Sequence, residues 1–429
     1  MTAPDSMADR TLGDCFAIAD GLISLDDAHA FIARKVPVTA GTETVPLAQA
    51  MGRILAEDIV APIDQPPFRN SAMDGFGCRA ADLTPDGASL AIVGRVAAGH
   101  PYLGAVAPGC AVEIFTGAPL PDELDTVVMI EDCGFEMVAG RRHVRIPGGA
   151  KPHAHVRPSG EDFRRGTPLL ARGRRLRPQD VALAAAAGRP ALVVYRRLVV
   201  GVFSTGDEVI EPGFPLGPGQ IWSSNRVGQL GLVSGWGHEA VDLGHLPDDA
   251  EIIGRALSEA AVRVDALVTS GGASVGGEDH IRAVVEQRGA LHMWRLALKP
   301  GKPVALGRIG ETAFLGMPGN PVSALVSLML VGRVVLNRMA GRDNEPPMPP
   351  AIPLPANFSY ARKRGRREFM RGSLDIDSSG AKVNLYRTQD SVALTSLAQS
   401  DGLIDMPSGD APINHGDLVP YISFEHLLR

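Results

Sequence analysis

Three textures of apolar and polar positions succeed one another along the chain. Residues 22–60 read as helical, opening on Ser24-Leu-Asp-Asp-Ala, where a hydroxyl can cap the first turn. From 61 to 162, short Val/Ile runs stand between Gly- and Pro-rich turns, as in Leu90-Ala-Ile-Val-Gly, Val112-Glu-Ile-Phe and Val127-Val-Met-Ile. That is the texture of an all-β segment. Pro178-Gln-Asp-Val-Ala-Leu-Ala-Ala-Ala-Ala-Gly188 then predicts a helix with proline at its start and glycine at its stop. Packing of this helix with the first helical part would make 22–60 and 163–197 one discontinuous helical or linker domain. The β domain, 61–162, is then an insertion into it.

Over 198–343 the pattern becomes strand, turn, helix, repeated. Leu198-Val-Val-Gly-Val-Phe203 is a continuous apolar run, as expected of a strand buried on both faces. Val241-Asp-Leu-Gly and Ala266-Leu-Val-Thr read similarly, with Ala250 to Ala261 as a connecting helix. The pattern predicts a doubly wound α/β domain, in which ligands bind at the carboxyl ends of the strands. Asn344 to Pro355 holds six prolines and reads as a linker. The rest of 344–429 returns to short strands, as in a small β barrel. The fold class is therefore multidomain, α/β and all-β.

Composition narrows the function. A chain of 429 residues has ample length for several cores. A formal net charge of −6 and a pI near 6.0 argue against nucleic acid as the main partner. The four cysteines (Cys15, Cys78, Cys110, Cys133) are far apart with no C-x-x-C, which is neither a disulfide framework nor a zinc knuckle. The first thirty residues lack a basic segment before an apolar core, so no signal peptide is read there. The most apolar stretch, Val322 to Leu336, is interrupted by Arg333 and too short to span a bilayer. These features predict a cytoplasmic protein that engages neither nucleic acid nor membrane.

Candidate chemistry concentrates in three glycine-rich turns. Ala266-Leu-Val-Thr-Ser runs directly into Gly271-Gly-Ala-Ser-Val-Gly-Gly-Glu-Asp279; Lys299-Pro-Gly-Lys-Pro303 follows, then Met317-Pro-Gly-Asn-Pro321 opening an apolar helix. Small residues after a strand let backbone N–H groups approach an anion, and a helix start adds partial positive charge. With an acid and two lysines interleaved, the set describes a phosphate- or oxyanion-binding site. A dinucleotide fingerprint fails because Ala273 stands where its second glycine belongs, and a P-loop fails because Gly277 replaces the lysine.

Thr269-Ser-Gly-Gly-Ala-Ser-Val-Gly, Lys299-Pro-Gly-Lys-Pro and Pro318-Gly-Asn-Pro-Val-Ser-Ala resemble the molybdopterin molybdenumtransferase family, the MoeA-like proteins that include the E domain of gephyrin. Pro66-Pro-Phe-Arg-Asn-Ser-Ala-Met-Asp-Gly-Phe76 is similar to that family's most recognisable stretch. Phe115-Thr-Gly-Ala-Pro-Leu-Pro121, Gly160-Glu-Asp162, Phe203-Ser-Thr-Gly-Asp-Glu208 and Gly365-Arg-Arg-Glu-Phe-Met-Arg-Gly372 match in the same order. The motifs spread from about residue 66 to residue 391 and cover most of the chain.

The resemblance implies that adenylated molybdopterin and molybdate enter one cleft, AMP leaves, and molybdenum is inserted into the dithiolene. It makes 198–343 the molybdopterin-binding domain. Asp74, Asp162, Glu208, Asp248 and Asp279 become the catalytic acids; Glu208, Asp248 and Asp279 would hold Mg2+, a hard ion that bridges to phosphate oxygens. Read from spacing alone, Asp248 and Asp249 are N-cap residues, while Asp74 and Asp162 are turn residues. Substrate binding falls to Thr116, Ser270, Gly271, Gly272, Ser274, Arg295, Lys299, Lys302, Pro318 and Pro321. Molybdate falls to Lys299, Arg371 and Ser391. Arg295 stands where the family usually has lysine, and its planar fork changes the geometry offered there. Gly277 is a second departure, while Asp279 keeps its place.

The basic cluster Arg362, Lys363, Arg364, Arg366, Arg367 and Arg371 also reads as a charged edge strand. His153 and His155 alternate as strand neighbours but lack a third ligand in recognisable spacing. The family places its cleft at a two-fold interface, so a homodimer is expected, together with contacts to the adenylyltransferase and to apo-molybdoenzymes. Two other readings are a molybdopterin adenylyltransferase, whose fold resembles 198–343 alone, and a non-catalytic carrier or scaffold.

Overall fold

A computed structural model describes residues 22–271, 280–362, 365–378 and 380–428, and of 292–294 the backbone only. At its centre is a seven-stranded sheet in the order Leu22–Ile23, Gly289–Leu296, Pro303–Ile309, Thr312–Met317, Ala266–Ser270, Val199–Thr205, Glu239–Leu246. The last four run parallel, and Pro303–Ile309 is antiparallel to both of its neighbours. Alternate residues feed two cores. Val200, Val202, Val268 and Leu315 pack with the helices Leu25–Lys35, Asn225–Gly235 and Pro321–Ser327. Phe203, Leu267, Ala305 and Phe314 pack with Ala250–Ala261 and His280–Arg288. Burial on both faces is why these strands read as unbroken apolar runs.

The helix that opens at Pro321 continues to Met339, 19 residues, longer than the apolar run suggested. It is long and apolar enough to cross a membrane, but 89% of its most apolar window is buried in the fold, so it serves as a core helix.

The helical reading of 22–60 applies only to Leu25–Lys35, capped as expected by Ser24, whose hydroxyl accepts from Asp27 N. Pro37 and Gly41 end the helical period, and the β-branched stretch Thr42–Pro46 pairs with Ala191–Tyr195 beside Ile54–Leu55. The Pro178–Ala186 helix packs on this small sheet through Ala184, whereas Leu25–Lys35 joins the central core. The two helices are therefore not partners.

Residues between these segments form a six-stranded sheet in the order Gly134–Val138, Arg141–Ile146, Ala88–Val96, Cys110–Ile114, Gly75–Cys78, Thr126–Met129. His153 and His155 lie in a turn rather than a strand, with φ of 64° and 55°. Histidine is among the few residues with a side chain that enter this region. His155 O accepts from Ala72 N at 2.9 Å and braces the loop that carries Asp74.

The C-terminal strands run in the order Leu298–Lys299, Arg367–Asp377, Gly402–Met406, Leu418–Ser423, Ile352–Pro355, and Gly380–Leu385 pairs with Arg367–Asp377 on the side away from Gly402–Met406. A bridge from Ala356 to Val383 closes the sheet into a barrel. Ile352–Pro355, read as the end of a linker, is thus a strand of the barrel, paired with Leu418–Ser423.

Candidate active site

Turns from the central sheet and a loop of the barrel converge on an open cleft of about 1100 Å3. Glu208 follows the Val199–Thr205 strand, Gly271 follows Ala266–Ser270, and Pro318, Gly319 and Asn320 follow Thr312–Met317. All three strands end at the same edge because they are parallel. The fourth turn, Lys299–Pro303, enters differently: Leu298 and Lys299 pair in register with Arg367 and Glu368 of the barrel. That pairing brings Arg366, Gln389, Asp390 and Ser391 to the opposite wall.

Glycines make two of these turns possible. Gly301 is left-handed (φ 100°), and a Cβ there would lie 2.2 Å from Ser327 Oγ. Gly206 (φ 118°) lets the Glu208 carboxylate fold back over it, within 2.4 Å of where a Cβ would stand. Ser391 is docked from both ends: Val322 N donates to its carbonyl at 3.0 Å, and Asn320 Nδ2 donates to its hydroxyl at 3.0 Å. Lys299 Nζ lies 3.5 Å from Glu368 Oε2. Positive charge from Lys299, Lys302 and Arg366 thus shares one opening with Glu208 and Asp390.

Of the residues singled out in the sequence, Glu208, Gly271, Lys299, Lys302, Pro318, Pro321 and Ser391 line the cleft. Ser270, buried at its strand end, lines a side chamber that opens beside Glu208. Gly272, Ser274 and Asp279 lie outside the described residues. Asp248 is exposed on the adjoining turn, where its N–H donates to Asp207 Oδ1 at 3.4 Å; Asp249, not Asp248, caps the helix Ala250–Ala261. Arg295 is exposed at the strand end opposite Leu22 and Pro303, and does not line the cleft. Among the described residues no group of three or more His, Cys, Asp or Glu stands ready around a metal ion.

Arg371 corrects the assignment to molybdate. It is 1% exposed, behind the loop rather than in it. Its guanidinium donates to Ser396 Oγ at 3.0 Å, Asp390 O at 3.1 Å and Phe369 O at 3.4 Å. Gln389 adds a reciprocal pair, accepting from Arg371 N and donating to Arg371 O. Burial pulls the Arg371 pKa down to about 10, still far above neutrality. The side chain holds the Gln389–Ser391 loop in place, and Arg366 supplies the cation that faces the cleft. The spacing of the basic cluster could not tell these two arginines apart.

Asp74 and Thr116 lie at strand ends of the inserted sheet and Asp162 in the loop before Pro168–Leu170, all away from this lining. The antiparallel register Gly75 to Ile114 brings Asp74 beside Thr116. Asp74 Oδ1 accepts from Thr116 N at 2.7 Å and Thr116 Oγ1 at 2.8 Å, and these two donors hold its pKa below the ordinary 3.8. Gly75 is required next to it, because a Cβ would lie 1.9 Å from Val128 O. Asp162 N donates to Gln65 O at 2.9 Å. Asp74 and Asp162 are both solvent-exposed.

Known proteins resemble this chain along most of its length. Family profiles match for the MoeA N-terminal region (domain I and II) over residues 23–188, a probable molybdopterin binding domain over 201–338, and the MoeA C-terminal region (domain IV) over 353–424. A molybdopterin molybdenumtransferase of Haemophilus influenzae is 35% identical over 410 residues, covering 95% of this chain and 100% of that protein. Molybdopterin molybdenumtransferase 2 of Mycobacterium tuberculosis is 37% identical over 376 residues, covering 85% and 90%. The crystal structure of the molybdopterin biosynthesis MoeA protein from Pyrococcus horikoshii OT3 superposes with a TM-score of 0.78 at 27% identity, covering 94% of this chain and 99% of that one.

Proposed function

The chain belongs to the MoeA family of molybdopterin molybdenumtransferases, enzymes of molybdenum cofactor biosynthesis, and from that premise we propose how its cleft inserts molybdenum into adenylated molybdopterin. The carrying observation is the convergence of Lys299, Lys302, Arg366 and Ser391 opposite the strand-end turns of Glu208 and Gly271. A cleft of about 1100 Å3 has room for a nucleotide-sized substrate together with a small oxyanion.

Molybdate, a doubly charged oxyanion, takes the cationic wall. Lys299 and Arg366 supply charge, and the Ser391 hydroxyl, fixed by Asn320, supplies a directed donor. The phosphates of adenylated molybdopterin take the backbone N–H groups of Gly319 and Asn320 in the Pro318 turn, while Gly271, whose own N–H donates to Met317 O, keeps the neighbouring wall free of a side chain. Glu208 and Asp248, exposed on adjoining turns, would hold Mg2+ together with Asp279; carboxylate oxygens are the donors that ion prefers. When bound, the ion supplies charge neutralisation at the phosphoryl oxygens. Lys302 and the turn amides orient the pyrophosphate so that water attacks in line, the P–O bond to the pterin phosphate breaks, and AMP leaves. Molybdate is held beside the dithiolene sulfurs, which the hydrolysis leaves unchanged.

Asp74, Thr116 and Asp162 enter the same site in this reading, supplied by the inserted β domain of a second copy across a two-fold axis. Their exposure and their absence from the cleft of their own chain support that placement. The enzyme is accordingly a homodimer acting in the cytoplasm. Incubation of the purified protein with adenylated molybdopterin, molybdate and magnesium tests the proposal: active cofactor and AMP should both form. A parallel incubation with molybdopterin and ATP that yields adenylated molybdopterin instead would identify an adenylyltransferase, and no turnover in either mixture would identify a carrier.

A further inference from the structure

The side chamber beside Glu208 differs chemically from the main cleft. It is entered past Glu208, Ile221, Gly271, Gly319 and Pro321, which line both spaces. Lysine and arginine line the main cleft, whereas neither is found among the described residues that line the chamber. Its polar groups are instead mainly hydroxyls and one amide. Two of them have unmet hydrogen-bonding capacity: Ser223 Oγ and Asn225 Oδ1 are buried with no partner among the described residues. Asn225 is oriented by its own amide, since Nδ2 donates to Gly319 O at 2.7 Å, which leaves the oxygen facing elsewhere. Buried acceptors without donors are costly, and native proteins keep few of them.

One wall of the chamber is Trp222, which is 53% exposed. Its position is fixed. Ile221 N donates to Glu208 O and Ser223 N donates to Ile210 O, both at 2.8 Å, so the backbone on either side of it is held. Indole Nε1 donates to Phe214 O at 3.0 Å, which sets the ring orientation. A rigid, half-exposed aromatic beside an unpartnered amide oxygen and a hydroxyl suits a flat ring that carries an amino group on its edge.

We propose that Trp222 is the stacking wall for an amino-substituted planar heterocycle of the substrate, whose edge amino group donates to Asn225 Oδ1. The proposal rests on reading the cleft as the site of molybdenum insertion. The charged phosphates and the oxyanion then lie in the cationic cleft, and the uncharged ring lies in the chamber. Two rings in adenylated molybdopterin have this chemistry, the pterin and the adenine. Trp222 is thus a specificity-determining residue.

The test uses the full chain with two soluble probes, AMP and 6-hydroxymethylpterin, titrated separately while tryptophan emission is followed. At least one probe should quench emission in the wild-type protein and not in Trp222→Phe. With affinities read by isothermal titration calorimetry, Trp222→Ala should bind that probe about ten-fold more weakly or worse, whereas Trp222→Phe and Trp222→Tyr should stay within roughly three-fold. Quenching by AMP alone assigns the chamber to adenine, and by the pterin alone to the pterin ring; either supports the stack. Trp236 is buried with its Nε1 on Leu427 O, so unchanged emission from it and Trp294 together reports an intact fold in each variant. No Trp222-dependent quenching by either probe, or full affinity in Trp222→Ala, overturns the proposal. Turnover without quenching would remove the stack and leave the enzyme reading; quenching without turnover would do the reverse.

Discussion

Lys299 and Glu368 face each other across the parallel pairing that joins the central α/β unit to the barrel, with Nζ 3.5 Å from Oε2. Glu368 is 5% exposed, so Lys299 is its link to positive charge as well as a lysine of the cleft. One residue therefore carries a structural and a functional duty, and the two can be separated. Lys299→Met should lower stability by about 1 kcal/mol, modest because the lysine end is solvated, and should sharply raise the molybdate needed for product. Adding Glu368→Gln should restore the melting temperature but not the molybdate requirement. Recovery of both would show that Lys299 acts only as a counter-ion.

Arg371 and Arg366 should part company in the same way. Loss of the buried guanidinium in Arg371→Met leaves Asp390 O, Phe369 O and Ser396 Oγ without their donor. Stability should fall by about 1–3 kcal/mol, with faster amide exchange across Gln389–Val392. Arg366→Ala should leave the melting temperature nearly unchanged and raise the half-saturating molybdate concentration about ten-fold, the scale of one charged hydrogen bond. A stable Arg371→Met protein with only a molybdate defect would place Arg371 in the oxyanion site after all.

The Asp74–Thr116 contact makes a prediction in pH. Its two donors lower the folded pKa, so their stabilisation is present above the unfolded carboxylate value and disappears as pH falls through the folded one. Thr116→Val removes the hydroxyl and keeps the N–H. The Asp74 carboxyl, followed by carbon-detected NMR, should titrate higher than in the wild type, closer to 3.8. An unchanged midpoint would mean that the backbone N–H sets the shift by itself.

Much of this site was legible in the sequence, and the gaps have a common cause. Glu208, Gly271 and the Pro318 turn sit at ends of parallel strands, so local apolar runs and the carboxyl-edge rule suffice to place them together. Arg366, Asn320 and Asn225 depend on contacts between segments far apart in the chain. Arg366 reaches the cleft only through the Leu298 to Arg367 pairing, and Asn225 through its bond to Gly319 O. A basic cluster read along the chain cannot tell which arginine faces inward. The helical reading of 36–60 failed for the same reason, since Thr42–Pro46 takes its conformation from the distant Ala191–Tyr195 strand.

Complementation tests the shared cleft. Asp74→Asn and Glu208→Gln chains, each inactive alone, should regain part of the wild-type rate after subunit exchange. In a mixed dimer one of the two sites has both acids intact. Exchange verified by mass spectrometry with no recovered activity would place every acid within one chain.

The most direct measurement is a single-turnover experiment that follows AMP release and molybdenum incorporation together, with enzyme in excess over adenylated molybdopterin and molybdate varied. The account predicts equal final amounts of AMP and molybdenum-loaded cofactor at saturating molybdate, and an Arg366→Ala enzyme that reaches the same amounts only at higher molybdate. AMP released in full with no molybdenum incorporated at any molybdate concentration would contradict it.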